Sequence, residues 1–257
     1  MNELNFMHEN ISGIFNYCDR RCEKCSYINR CLLFKQEAET EIKHILRDEN
    51  KNHPDAFAKD LSDNFNEAFD HINKFMDEEN EGHGEFEKED LNIDDQEEDD
   101  DDERPSTFLR NNDTALILHS EKLYKDFYKS YDHISLVIAT VQKRGDYLNI
   151  LRNNLDILRW YMPQIHVKIR MSYRNKHQLS KSTDTKTAEI DREMLNVFSR
   201  IAFVGIENCI NALAYLQQEN IEPQITITSL LITTNQIREL FVEEFPDALT
   251  YRRPYFD

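Results

Sequence analysis

The chain has 257 residues but only five glycines, six prolines and one tryptophan. So few glycines exclude the glycine-rich phosphate loops and strand–glycine–helix units of nucleotide-binding α/β folds. No serine elbow and no Ser/His/Asp arrangement stands out, so the sequence offers no catalytic constellation and leans away from an enzyme. No apolar run approaches the roughly 18–20 residues a membrane span needs, and no membrane partner is expected. The first ten residues carry neither a basic n-region nor an apolar h-region, so no secretory signal is read there and a cytoplasmic location is expected. Internal repeats of 20–50 residues are also lacking.

Cysteine is scarce in number but not in placement. Four of the five cysteines, Cys18, Cys22, Cys25 and Cys31, fall within fourteen residues, spaced C-x3-C-x2-C-x5-C. Four thiolates complete the first shell of a tetrahedral zinc or of a 4Fe–4S cluster, and the gaps do not choose between these two cofactors. The competing readings are a disulfide pair or unligated core cysteines; in a reducing compartment, clustered cysteines more often bind metal. Arg20, Arg21, Lys24 and Arg30 lie among the sulfurs. Their positive field would lower thiol pKa values and offset a dianionic four-thiolate site, or they are ordinary solvated charge. Cys209 stands apart in an apolar stretch and reads as a small buried hydrophobe.

The formal net charge is -18, and it is concentrated. Asp77 to Glu103 holds seventeen acidic residues and one lysine, a net of -16; residues 1–76 carry -4 and residues 104–257 carry +2. Few apolar side chains and dense like charge cannot offset the entropy of ordering, so this segment is expected to be a disordered linker. It divides the chain into a four-cysteine metal-binding box (1–34), a two-helix segment (35–76), the acidic linker (77–105) and a helical bundle (106–250).

Apolar periodicity makes the fold class all-α: a metal-capped N-terminal helical hairpin and a C-terminal antiparallel bundle. One helix is expected from Cys31 to Glu49 and another from Pro54, with Phe57, Leu61, Phe65, Ala68, Ile72 and Phe75 on its stripe. Glu41 and His44 have the E-x-x-H spacing of di-iron bundles, but a second such pair is missing and surface charge is the better reading. In the bundle, Asp113 is expected to cap a helix reaching Lys143. Gly145 stops it and Asp146 caps the next, whose seam is Leu148, Leu151, Leu155, Leu158, Met162, Ile165 and Ile169. Pro163 should kink or break that helix. A third helix capped within Ser182–Asp184 runs to about Gln217, its Ile201–Leu216 portion central. The run Pro223–Thr228 is β-branched and reads as extended, before a last helix from Ser229 to Glu244.

Two polar features interrupt the bundle. Gln164, His166 and Lys168, with Trp160 and Tyr161 close by, and the stripe Arg200, Glu207, Asn211 and Gln218 would form a polar pocket if both faced inward, Glu207 pairing with Lys168 or His166; otherwise each is a solvated helix face. Between Arg159 and Lys181 no acidic residue occurs, and Arg170, Arg174, Lys176 and Lys181 form a candidate anion-binding stretch. Such a stretch takes nucleic-acid phosphates, docks the acidic linker, or is simply a basic surface; nucleic acid is the least favoured partner.

On the spacing alone, Cys18-x3-Cys22-x2-Cys25 resembles the ligand set of radical-SAM enzymes, whose barrel of strands and open iron this chain lacks. Cys22-x2-Cys25-x5-Cys31 resembles the last three ligands of iron–sulfur DNA glycosylases. The box, a helical domain with Trp160-Tyr161, and the ending Pro246…Pro254-Tyr255-Phe256-Asp257 together resemble a group of uncharacterised bacterial proteins, a resemblance that implies no activity. The reading is a cytoplasmic metal-binding helical protein acting as an interaction or regulatory module, with a protein partner. The alternatives are a redox or hydrolytic enzyme with its site in the helical core, and a nucleic-acid-binding protein using residues 159–181.

Overall fold

The computed structural model describes residues 10–48, 56, 59–60, 114–141 and 145–257. Among these the protein is all-helical, with five α-helices and no strand: α1 (Leu32–Leu46), α2 (Ala115–Thr140), α3 (Asp146–Lys181), α4 (Thr185–Gln218) and α5 (Gln224–Glu244). The chain divides into two compact units. The first comprises Met1–Ser12 and Cys22–Asp100, the second Gly13–Arg21 and Asp101–Asp257. The division assigns nine residues of the cysteine-rich N-terminus, Cys18 among them, to the unit that contains α2–α5. The acidic segment Asp77–Glu103 lies outside the described residues, as does the helix expected from Pro54, save for Ala56, Lys59 and Asp60.

In the second unit, α2 packs on α3, α3 on α4, α4 on α5, and α5 back on α2. With connections of only a few residues, this is the packing of an up-and-down four-helix bundle. The α3 seam is buried from Leu151 through Leu155, Leu158, Met162 and Ile165 to Ile169. It meets Ala202, Ile206, Cys209, Leu213 and Leu216 of α4 in one core. Leu116, Leu123, Phe127, Ile134 and Ile138 supply the α2 stripe. Cys209 is fully buried, and burial pushes its thiol pKa well above the ordinary range, as a small core hydrophobe requires.

α4 is also long and apolar enough to cross a membrane by length and composition, with a mean hydropathy of 1.3 over eighteen residues. The expectation that no apolar run approaches the length of a span therefore does not hold for α4 by composition. Burial of 56% of that window inside the protein gives the apolarity a packing role.

Four local expectations are corrected. Asp113 lies outside the described residues; the cap of α2 is Thr114, whose hydroxyl accepts from the Ile117 N–H at 3.3 Å, and the helix ends at Thr140. Asp146 is the first residue of α3 rather than its cap: Gly145 holds the cap position at φ 85°, a conformation glycine adopts without penalty. Of the kink or break expected at Pro163, the break does not occur: α3 runs on to Lys181. The proline removes one backbone donor, while its neighbours Met162 and Ile165, both at most 1% exposed, hold the helix by burial. The Pro223–Thr228 run is not extended: Gln224 begins α5, and the fully buried Ile227 shows core packing overriding β propensity. The cap at Asp184, by contrast, is as the sequence reads, accepting from Thr187 N at 2.9 Å.

Candidate metal centre

The cysteines sit on a succession of tight turns. In the first unit, Cys22–Lys24 forms a 3-10 turn closed by the Cys25 N–H donating to the Cys22 carbonyl at 3.1 Å. Two residues on, the Tyr27 N–H donates to the Cys25 sulfur at 3.4 Å. A second 3-10 turn, Ile28–Arg30, delivers Cys31 to the position before α1, where its backbone is extended. The Ile11 N–H donates to the Arg30 carbonyl at 3.0 Å, tying the chain before the box to this turn. Backbone N–H groups aimed at sulfur favour the thiolate and are among the levers by which proteins tune metal–sulfur sites.

In the second unit, the Ile14–Asn16 turn starts from Gly13 at φ 67° and leads to Cys18, whose thiol donates to the Phe15 carbonyl at 3.4 Å. Asp19 is held by side chains of α3. Its carbonyl accepts from Trp160 Nε1 at 3.0 Å and from Gln164 Nε2 at 2.9 Å, both on α3. Its carboxylate accepts from the Tyr161 hydroxyl and from the Arg21 N–H at 3.2 Å. On the other side of Cys18, the Tyr17 carbonyl accepts from Arg253 Nη1 at 3.4 Å. Arg20 then takes φ 62°, an uncommon left-handed backbone for a residue with a side chain.

The donors are themselves fixed. Tyr161 is 5% exposed and packs over Gly205 of α4, where an added Cβ would meet Tyr161 Cδ1 at 3.2 Å and Ile165 Cγ1 at 3.3 Å. Burial and the Asp19 carboxylate both push the Tyr161 phenol pKa well up, so it stays a hydrogen-bond donor. Arg253 and Arg200, both buried, grip Asp257: Nε of each lies 3.0 Å from Oδ2, and Arg253 Nη2 donates to Oδ1 at 3.1 Å. Arg200 also donates to the carbonyls of Ala248 and Leu249 at 3.1 and 3.3 Å. Burial opposes ionisation of Asp257, but the arginine hydrogen bonds outweigh it and hold its pKa down to about 2.

Lys168 lies one turn beyond Gln164 on α3. Its ammonium stands 4.7 Å above the Phe198 ring and 3.9 Å from Met171 Sδ. Burial lowers its pKa, with Arg20 adding to the effect, while Cys18 and Asp19 pull the other way.

The polar pocket expected between α3 and α4 is not formed. Glu207 pairs with Arg238 of α5, and Asn211 is exposed. His166 turns to α2, with Nδ1 2.9 Å from Ser120 Oγ and Nε2 accepting from Arg170 Nε at 3.2 Å. That arrangement needs the neutral ring, and burial followed by the Arg170 charge lowers its pKa accordingly. Gln164 and Tyr161 face Asp19 instead, a partner 142 residues from Tyr161 in sequence. The anion-binding stretch is likewise divided. Arg170 serves His166, and Lys176 pairs with the Glu244 carboxylate at 2.5 Å, while Arg174 and Lys181 are exposed. Acids absent from the local sequence are supplied by neighbouring helices. His44, read as surface charge, is buried with Nε2 2.7 Å from Asp60 Oδ2.

Among the described residues no three His, Cys, Asp or Glu side chains stand gathered as a metal group, and no disulfide joins the cysteines. The donor set is nonetheless suited to a thiophilic metal: all four clustered cysteines are partly accessible, and their turns are short and local. Compared with protein-family models, curated proteins and solved structures, the chain matches none.

Proposed function

We propose that the protein is a metal-binding helical module in which Cys18, Cys22, Cys25 and Cys31 hold one zinc ion or one 4Fe–4S cluster. The observation that carries this reading is the Cys22–Cys25 turn, whose Tyr27 N–H donates to the Cys25 sulfur. Two sulfurs from one turn, with a backbone donor on one of them, is an arrangement that serves a bound metal and has little use for an isolated thiol. The spacing along the chain adds a thiolate on either side. Arg20, Arg21, Lys24 and Arg30 would balance the negative charge of four thiolates. Metal binding and closure of these turns are then one event, as in other small metal sites whose ligands are brought together by the ion.

Four protein ligands leave no open coordination position, so the role is structural or regulatory rather than catalytic. A cytoplasmic, reducing setting keeps the thiols available, and the four-helix bundle provides the body through which a protein partner would be engaged. Metal content and the absorption spectrum of anaerobically purified protein test the proposal. A colourless protein with one zinc per chain, or a brown one with four irons and four sulfides, is the expected result. Protein that carries neither metal after purification, and takes up neither on reconstitution, overturns it.

A further inference from the structure

α5 has an outer face that the packing of the bundle leaves exposed. From Pro223 to Ile237 no side chain is charged, in a chain where 31% of residues are. On that face Ile225 is 87% exposed and Ile232 is 54% exposed. They stand two turns apart with Thr228 and Ser229 between them, at the spacing that puts all four on one side of the helix. Gln224 and Thr233 complete the lining of a shallow, open groove of about 430 Å³. A solvated helix face normally carries charge; this one has aliphatic ridges and a floor of small hydroxyl residues instead.

The polar groups of the groove already have partners inside the chain. Thr228 Oγ1 accepts from Gln217 Nε2 at 2.8 Å, Thr233 Oγ1 donates to the Ser229 carbonyl at 3.0 Å, and Gln224 Nε2 donates to the Ile221 carbonyl at 2.7 Å. Covering these groups therefore costs little. The lining also reads the same from either end: polar, isoleucine, hydroxyl, hydroxyl, isoleucine, polar, with gaps that are the same in both directions. A two-fold axis passing between Thr228 and Ser229 sets Ile225 against the partner's Ile232 and Thr228 against the partner's Ser229. Small side chains at the crossing point let two helices approach closely. A patch that is its own complement is what an isologous pair requires.

We propose that this face of α5 is a self-association surface, occupied by the same face of a second copy of the chain in antiparallel contact. The missing charge favours a copy as the occupant, because any charge close to the axis would meet its own sign. Three turns of one helix offer less than the ~800 Å² per partner of a standard interface, so the dimer is weak and concentration-dependent. The contact involves the bundle alone and is independent of the metal centre.

The test is sedimentation velocity on the full chain, as purified and under reducing conditions, over concentrations rising to the millimolar range. Wild type is compared with Ile225→Lys, with Ile232→Glu, and with an equimolar mixture of the two variants. Both positions are exposed, so the substitutions leave the core intact, and circular dichroism verifies helicity. Wild type should dimerise as concentration rises. Each substitution removes an apolar contact at both ends of the symmetric pair and should weaken association about tenfold or more. In the mixture, a mixed pair keeps one isoleucine–isoleucine end and sets the introduced lysine against the introduced glutamate at the other. The mixture should therefore associate more tightly than either variant alone, a recovery that general stickiness would not give. A wild-type chain that stays monomeric throughout, whatever else binds this face, overturns the proposal, as does a dimer that both substitutions leave unchanged. A mixture no tighter than its components overturns the two-fold arrangement.

Discussion

Asp19 shows what a single residue can organise when its partners are distant in sequence. The face of α3 that grips it was visible as a run of polar residues at helical spacing. Its partner was not, because one carboxylate among charged neighbours gives no signal of a bond to a tyrosine more than a hundred residues away. The same holds for Arg200, which reads as part of a polar stripe but is buried against Asp257. Asp257→Asn should lower stability at neutral pH by about 1–2 kcal/mol, allowing for solvent screening. Because the folded pKa is depressed to about 2, this contribution is full above about pH 4 and is lost as pH falls toward 2. Urea denaturation of both proteins at pH 7 and near pH 2 checks it: the difference should shrink at the lower pH. Gly205→Ala sets a helix-propensity gain of about 1 kcal/mol against overpacking of about 1–3 kcal/mol. Tyr161 and Ile165 both lie on the buried seam and have little room to yield, so the net effect should be destabilising, and chemical denaturation reads the sign.

At the scale of elements, the long periodic segments were the legible ones. The seam of α3 and the central place of α4 follow from apolar spacing, because burial of a stripe is what a helix in water needs. Breaker residues were over-read. Pro163 sits inside a helix whose flanking side chains are buried, and packing outweighs the missing donor. Pro163→Ala should therefore stabilise the bundle by about 1–3 kcal/mol without altering helicity; a fall in the thermal midpoint would show that the proline supports a bend the core requires. The β-branched run before Ser229 is helical for the same reason, since Ile227 is buried and a strand there would have no partner among the described residues. Ends of elements moved by a few residues where the cap was Thr114 or Gly145 instead of a neighbouring aspartate.

For the whole molecule, the all-helical class was legible from composition and period, whereas the assignment of Gly13–Arg21 to the bundle's unit was not. Sequence proximity places Cys18 with Cys22; hydrogen bonds to α3 and Arg253 place its backbone with the bundle. The charge asymmetry leads to a separate expectation. Replacing Asp77–Glu103 by a short flexible linker should leave the cooperative melting of the bundle nearly unchanged, because a segment so acidic and poor in apolar residues brings little to bury. A large drop in thermal midpoint would make that segment structural. The central claim is that four cysteines act as one ligand set and the fifth does not. Metal per chain, measured on wild type, the four single Cys→Ser variants at positions 18, 22, 25 and 31, and Cys209→Ala, tests it most directly. The account predicts one metal centre in wild type and in Cys209→Ala, and its loss in each of the other four; full loading of Cys25→Ser would contradict it.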